Sequence, residues 1–274
     1  MTTIFKWIGW GVVYIGLGLL FHATIGRQSS APSLSWRDYF EIVGVTCLGL
    51  YILFASLQSQ QRTSDEEAKN TFAGGTGQGS APFSLFLRSF DITGKLKIER
   101  PASLPFMWDQ YDRPGNDTLE RLLADAVVRT APLIGLGGHG DVEFGPGLAG
   151  FVEDWQGRVE KAMNEAAYVF IVPSANVGTL WEIGVLKNRG YLDRTIFVMP
   201  PSIPPFKFTG DGEYKDFWEA ARIACANEHQ MELPPYRPNG GLFQMGEKTA
   251  TRGKPFVGFE PRDVAKTINK LIKN

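Results

Sequence analysis

The chain is poor in cysteine, in histidine and in net charge, and each scarcity removes a class of function. Its 274 residues contain two cysteines, Cys47 in an apolar N-terminal segment and Cys225 in an expected helix. Two such isolated thiols do not make a disulfide framework, and they suit a reducing compartment. The three histidines, His22, His139 and His229, show no metal-ligand spacing, and neither CxxC nor HxxxH occurs. No zinc motif follows from that pattern. With a formal net charge of −1, the chain exerts no global pull on nucleic acid or anionic surfaces. No nucleic-acid partner is expected. Internal repeats are absent as well, so the length is available for one or two domains with a proper core.

What the N-terminal part has is long uncharged runs. Residues 7–25 contain no Asp, Glu, Lys or Arg, and residues 39–57 contain one acid, Glu41. Each matches the roughly 20 residues a helix needs to cross a bilayer. Trp7, Trp10, Trp36, Tyr39 and Tyr51 lie partly toward the ends, as interfacial aromatics do. The expected organisation is a transmembrane helical hairpin over residues 1–57, a polar glycine-rich linker over 58–82 and a soluble body over 83–274. The other reading of the two runs is a buried helix pair. Lys6, Arg62 and Lys69 flank the hairpin, against Arg27 and Arg37 in its loop. That basic excess leans toward a two-pass protein of the inner membrane, with the lipid bilayer as partner and the C-terminal body in the cytoplasm.

In the body, short apolar runs alternate with amphipathic stretches. Residues 83–87, 133–136, 168–172 and 195–199 read as buried strands. Helices are expected from Asp117 as cap, over 153–167, from Thr179, around 214–225 and from Pro261. Residues 95–111 read as irregular and residues 137–150, with His139, Asp141 and Glu143, as a glycine-rich loop. An edge strand comes from residues 242–244 or 256–259. Strands alternating with helices predict an α/β fold on an open parallel sheet. If the order is flavodoxin-like, the first and third strands meet at the switch point, where ligands bind at the carboxyl ends. Arg88, Ser89 and Asp91, the segment 174–178 and Glu182 then share one crevice.

The stretch YVFIVPSANVGTLWEIG, residues 168–184, carries the best candidate for chemistry. A strand, a proline-stopped turn and a helix N-terminus form the rim of many α/β active sites, and Glu182 stands there beside Trp181. Thr179-x-x-Glu182 also fits a capping box, in which the glutamate only returns to the cap N–H. Arg88 suits a phosphate or a salt bridge to Asp91. Trp181 suits stacking on a base or packing in the core, and His139 suits a surface loop.

Several features together resemble bacterial TIR-like domains. They are the first strand ending in FLRSFD (86–91), the glycine loop after the second strand, a helix with Trp155 and Met163, the strand VFIVPS (169–174) and the Trp181-Glu182 pair. The resemblance covers residues 83–200. It implies a flavodoxin-like, TIR-like fold and a catalytic glutamate that cleaves NAD, matching Glu182, in a bacterial defence or signalling setting. The run GTLWEIG, 178–184, is also similar to nucleoside deoxyribosyltransferases, whose nucleophilic glutamate occupies a similar turn. Both relatives break an N-glycosidic bond through an oxocarbenium-like state that a carboxylate stabilises. The nicotinamide ring is already cationic in NAD, so it leaves as a neutral molecule and needs no general acid. The resemblance therefore implies NAD as substrate rather than cofactor, binding by Arg88, Ser89, Asp91, Ser174 and Trp181, and a homo-oligomer. TIR-like folds also serve as non-enzymatic assembly or nucleotide-sensing modules, in which Glu182 is a cap alone.

Overall fold

The computed structural model describes residues 82–87, 96–98, 117–128, 130–137, 147–150, 155–204, 206–208 and 212–272, with scattered positions between 43 and 66. The chain divides into two compact units, Met1–Ser64 and Asp65–Asn274. In the first, the described positions are helical, with Val43, Leu48 and Tyr51 exposed. Among the described residues no helix is long and apolar enough to cross a membrane. This overturns the two-pass inner-membrane placement. The apolar runs met the composition and length criterion, but crossing requires one long continuous apolar helix, and none is present among the described residues. Residues 7–25 and much of 39–57 lie outside those residues.

The second unit is α/β. Its main sheet has seven strands: β1 (Ser84–Leu87), β4 (Leu133–Gly137), β5 (Gly147–Gly150), β6 (Tyr168–Ile171), β7 (Thr195–Met199), β9 (Gly241–Met245) and β10 (Ala250–Lys254). Their order is β10-β9-β7-β6-β1-β4-β5. The five strands from β5 to β7 are parallel; β9 runs antiparallel to β7, and β10 antiparallel to β9. The sheet is therefore mixed and mostly parallel. A second, three-stranded antiparallel sheet joins β3 (Asp117–Thr118), β2 (Leu96–Ile98) and β8 (Phe206–Phe208).

Burial explains the parallel centre. Every residue of β1 and β7 is buried, and so are all of β6 but Tyr168. Strands sealed on both faces read as continuous apolar runs, which is why SLFL, YVFI and TIFVM stand out in the sequence. Among the described residues five helices accompany the sheet: α1 (Leu119–Val127), α2 (Trp155–Glu165), α3 (Val177–Asn188), α4 (Tyr214–His229) and α5 (Pro261–Ile272). Helix α1 packs with α5, while α2 packs with α3 and α3 with α4. The core runs through Leu85, Phe86, Met163, Phe170, Phe197 and Trp218. Phe197 stacks on Phe243 of β9 with ring centroids 5.5 Å apart.

Three local assignments change. The cap of α1 is Thr118, whose hydroxyl accepts from the Arg121 N–H, rather than Asp117, which pairs in β3. Residues 147–150, expected as loop, form the parallel edge strand β5; glycines at 147 and 150 leave no alternating pattern to detect. Residues 241–245 form an interior strand, paired on both sides, and the edge is β10 rather than 256–259. All side chains of β10 are exposed, so no apolar face marks it.

Candidate active site

Strand β1 pairs with β4 on one side and β6 on the other, with Leu87 opposite Ile171. Chain order therefore reverses between β1 and β6, and the segments leaving their carboxyl ends start side by side. Such a switch point is the usual ligand crevice of an open α/β sheet. Arg88, Ser89 and Asp91 follow β1 directly, but they lie outside the described residues, as do His139, Asp141 and Glu143.

After β6 the chain turns within a few residues. Pro173 has no N–H to extend the ladder. The buried Ser174 hydroxyl accepts from the Asn176 N–H at 3.2 Å and donates to Thr179 Oγ1 at 3.1 Å. Asn176 is the N-cap of α3, its Oδ1 accepting from the Gly178 N–H at 2.8 Å. A serine that closes a turn two residues on and an asparagine that caps two residues on are both short-range devices. Together they fix the angle at which α3 leaves the sheet edge.

The capping-box expectation fails on this geometry. Helix α3 starts at Val177, two residues before Thr179, so Thr179 is inside the first turn and Glu182 is in the second. Asn176 already serves as cap, and Glu182 is beyond reach of that role. Its side chain is instead 7 % exposed, and Oε2 has no hydrogen-bond partner among the described residues. Burial alone pushes the carboxyl up to about 8, because removing a carboxylate from water without a compensating charge or donor disfavours the ionised form. An unsatisfied buried carboxyl at a sheet edge is costly. It calls for an explanation that capping no longer supplies.

The neighbours of Glu182 on the helix are held from outside. Trp181 is half-buried, its ring in edge contact with Trp155 of α2 at 5.0 Å. The Leu180 carbonyl lies 2.7 Å from Nε2 of His229, the last residue of α4, and Lys187 Nζ donates to the His229 carbonyl. Gly184 permits this approach: a Cβ there would lie 2.9 Å from His229 Cε1. The C-terminal end of α2 is tied down by Arg194, whose guanidinium donates to the carbonyls of Met163 and Ala166 at 2.9 and 3.0 Å. Helix α3 is thus clamped along its length, and Glu182 rides on a rigid element.

The structure brings Ser174 and the α3 N-terminus together by direct hydrogen bonding, with Glu182 one turn beyond Thr179. Trp181 contacts α2. Sequence reasoning missed Asn176, Thr179 and His229 as supports. The Ser-x-Asn spacing before a helix is a usable signal for the first two. Nothing local to His229 announces its contact with a helix 49 residues away. No protein-family model, curated protein or solved structure matches this chain.

Proposed function

We propose that the second unit is a TIR-like N-glycosidase that hydrolyses NAD at the nicotinamide bond, with Glu182 as the catalytic carboxyl. The observation that carries the proposal is the buried carboxyl of Glu182, whose Oε2 has no hydrogen-bond partner among the described residues, on a clamped helix leaving the switch point. Carboxyls perturbed by burial at such edges are candidates for functional sites. In the free protein the group holds its proton up to about pH 8. A bound nicotinamide ring carries a positive charge, and an opposite charge nearby favours the carboxylate. Substrate thus ionises the group it needs. The bond between ribose C1′ and the ring nitrogen then breaks, its electron pair neutralising the nicotinamide ring. The carboxylate stabilises the oxocarbenium ion left behind. Water adds at C1′ and gives up a proton, leaving nicotinamide and ADP-ribose. Arg88, Ser89 and Asp91, leaving the neighbouring strand, are assigned to the ribose and phosphates, and Ser174 to the orientation of the turn.

The high proton affinity of Glu182 supports one other reading. A carboxyl still protonated at neutral pH can donate to a neutral leaving base, which suits a nucleoside N-glycosidase in which Glu182 is the general acid rather than a nucleophile like the glutamate of deoxyribosyltransferases. Nicotinamide release from NAD and base release from deoxynucleosides, measured in parallel with Glu182→Gln, separate the two. Loss of charge stabilisation at the transition state is expected to cost on the order of 3 kcal/mol, near a hundredfold in rate. Release from neither substrate, at protein concentrations high enough to allow self-assembly, would leave the fold as a non-enzymatic module.

A further inference from the structure

The β7–β9–β10 side of the sheet holds a second feature, which stands whatever Glu182 does. A cavity of about 230 Å³ opens there, lined by Met199, the loop residue Arg237, Gly240 and Gly241, and the β10 residues Arg252 and Lys254 among others. Three of its lining side chains are cationic and none is acidic. Arg237, Arg252 and Lys254 are exposed and form no ion pair with any described residue. The chain as a whole carries 28 basic and 29 acidic residues, so this grouping is local.

Register places the cavity. Met199 ends β7 opposite Gly241, and Lys254 lies opposite Leu242. The acidic residue of the connecting turn, Glu247, is at the other end of the β9–β10 hairpin. The cavity is therefore at the carboxyl edge of β7, the same edge from which β6 leads to α3. Backbone comes very close here. Gly240 has φ +60°, and a Cβ on it would lie 2.4 Å from the Met199 carbonyl oxygen. The pairing of β10 with β9 slips between Ala250 and Arg252, and such bulges re-aim the side chains that follow them.

Lysine and arginine on an edge strand also prevent edge-to-edge pairing, and that role explains exposed charge on β10. It does not explain why Arg237, from a different segment, converges on the same cavity, or why no carboxylate among the described residues pairs with these cations. Like charges gathered in a concave site raise each other's energy until an anion arrives. Arginine forks fit phosphate oxygens in pairs. We propose that this cavity is a binding site for a small phosphate-bearing anion, with Arg237, Arg252 and Lys254 as its ligands. Its volume suits a phosphate or pyrophosphate group rather than a whole dinucleotide.

The test is calorimetric titration of the full chain with inorganic pyrophosphate at low ionic strength, on wild type, on Arg252→Ala/Lys254→Ala and on the control Lys215→Ala, an exposed position on α4. The substituted side chains are exposed, so the variants should fold, and thermal melting checks that they do. Saturable binding is expected in wild type and control, weakened about tenfold or more in the double variant and reduced by added salt. Absence of saturable binding at millimolar pyrophosphate would overturn the proposal. So would equal affinity in wild type and double variant, or an equal loss in the control, which would mean diffuse attraction rather than a site.

Discussion

Substituting Glu182 by glutamine tests the buried carboxyl through stability, independently of any substrate. The folded protein holds this proton up to about pH 8, whereas an unperturbed glutamate releases it near 4.5. Between those limits the folded state binds more protons than the unfolded state, so stability falls as pH rises and levels off above about 8. The window spans about 3.5 pH units at about 1.36 kcal/mol each, which gives a loss on the order of 5 kcal/mol. Glutamine cannot ionise. It carries a constant offset from its own buried amide, and other titrating groups cancel in the comparison. Urea unfolding of both proteins at pH 5, 6, 7 and 8, followed by the fluorescence of the second unit, measures the difference at each pH. The variant should gain on wild type by up to about 1.4 kcal/mol per pH unit across the window. A difference that stays constant with pH would show that the carboxyl ionises normally, and the reasoning from burial would fail. A capping glutamate would behave in that second way, because donors around it favour the charged form.

Three further expectations follow from the supports of the site. Gly184→Ala should cost about 1–3 kcal/mol in chemical denaturation, since its Cβ meets an imidazole pinned to the Leu180 carbonyl; adding His229→Ala should recover part of the loss. Asn176→Ala removes the α3 cap and should cost about 1 kcal/mol, read in the same assay. The Cys225 thiol is buried and free, and burial, with the nearby Glu228 charge adding to it, pushes it up to about 12. A thiol reagent at pH 8 should therefore label the exposed Cys47 quickly and Cys225 only on unfolding; fast labelling of both would contradict the packing of α4.

The parallel centre was legible because burial on both faces writes itself as uninterrupted apolar runs, as in residues 168–172 and 195–199. The adjacency of residues 83–87 and 168–172 was expected on a flavodoxin-like order, and the pairing of Leu87 with Ile171 agrees with it, although β5 makes residues 168–171 the fourth strand of the sheet in chain order. The periphery was not legible, for physical reasons that differ by element. Strand β5 is bounded by glycines and β10 has no buried face, so neither carries a period-two signal. The start of α3 was misplaced because Thr179 and Glu182 satisfy a capping pattern, whereas the cap is Asn176, three residues before Thr179, with a hydrogen bond from the Gly178 N–H. That difference changes Glu182 from a capping candidate into a buried carboxyl. The membrane hairpin was inferred from composition, which measures apolarity but not the continuity of a helix, and no described helix meets that second requirement. The cationic cavity combines residues 237, 252 and 254 with the end of β7, a grouping that exists only after the hairpin folds back on the sheet.

The central claim is that Glu182 acts as the carboxylate of N-glycosidic cleavage, and the pH dependence of kcat/KM for nicotinamide release from NAD tests it most directly. That ratio reports the ionisation of the free enzyme. It is expected to rise about tenfold per pH unit below about 8, the value to which burial pushes Glu182, and to level off above it, with Glu182→Gln lower by about a hundredfold on the plateau. A profile flat from pH 6 to 9, or an unchanged rate in the glutamine variant, would contradict the account.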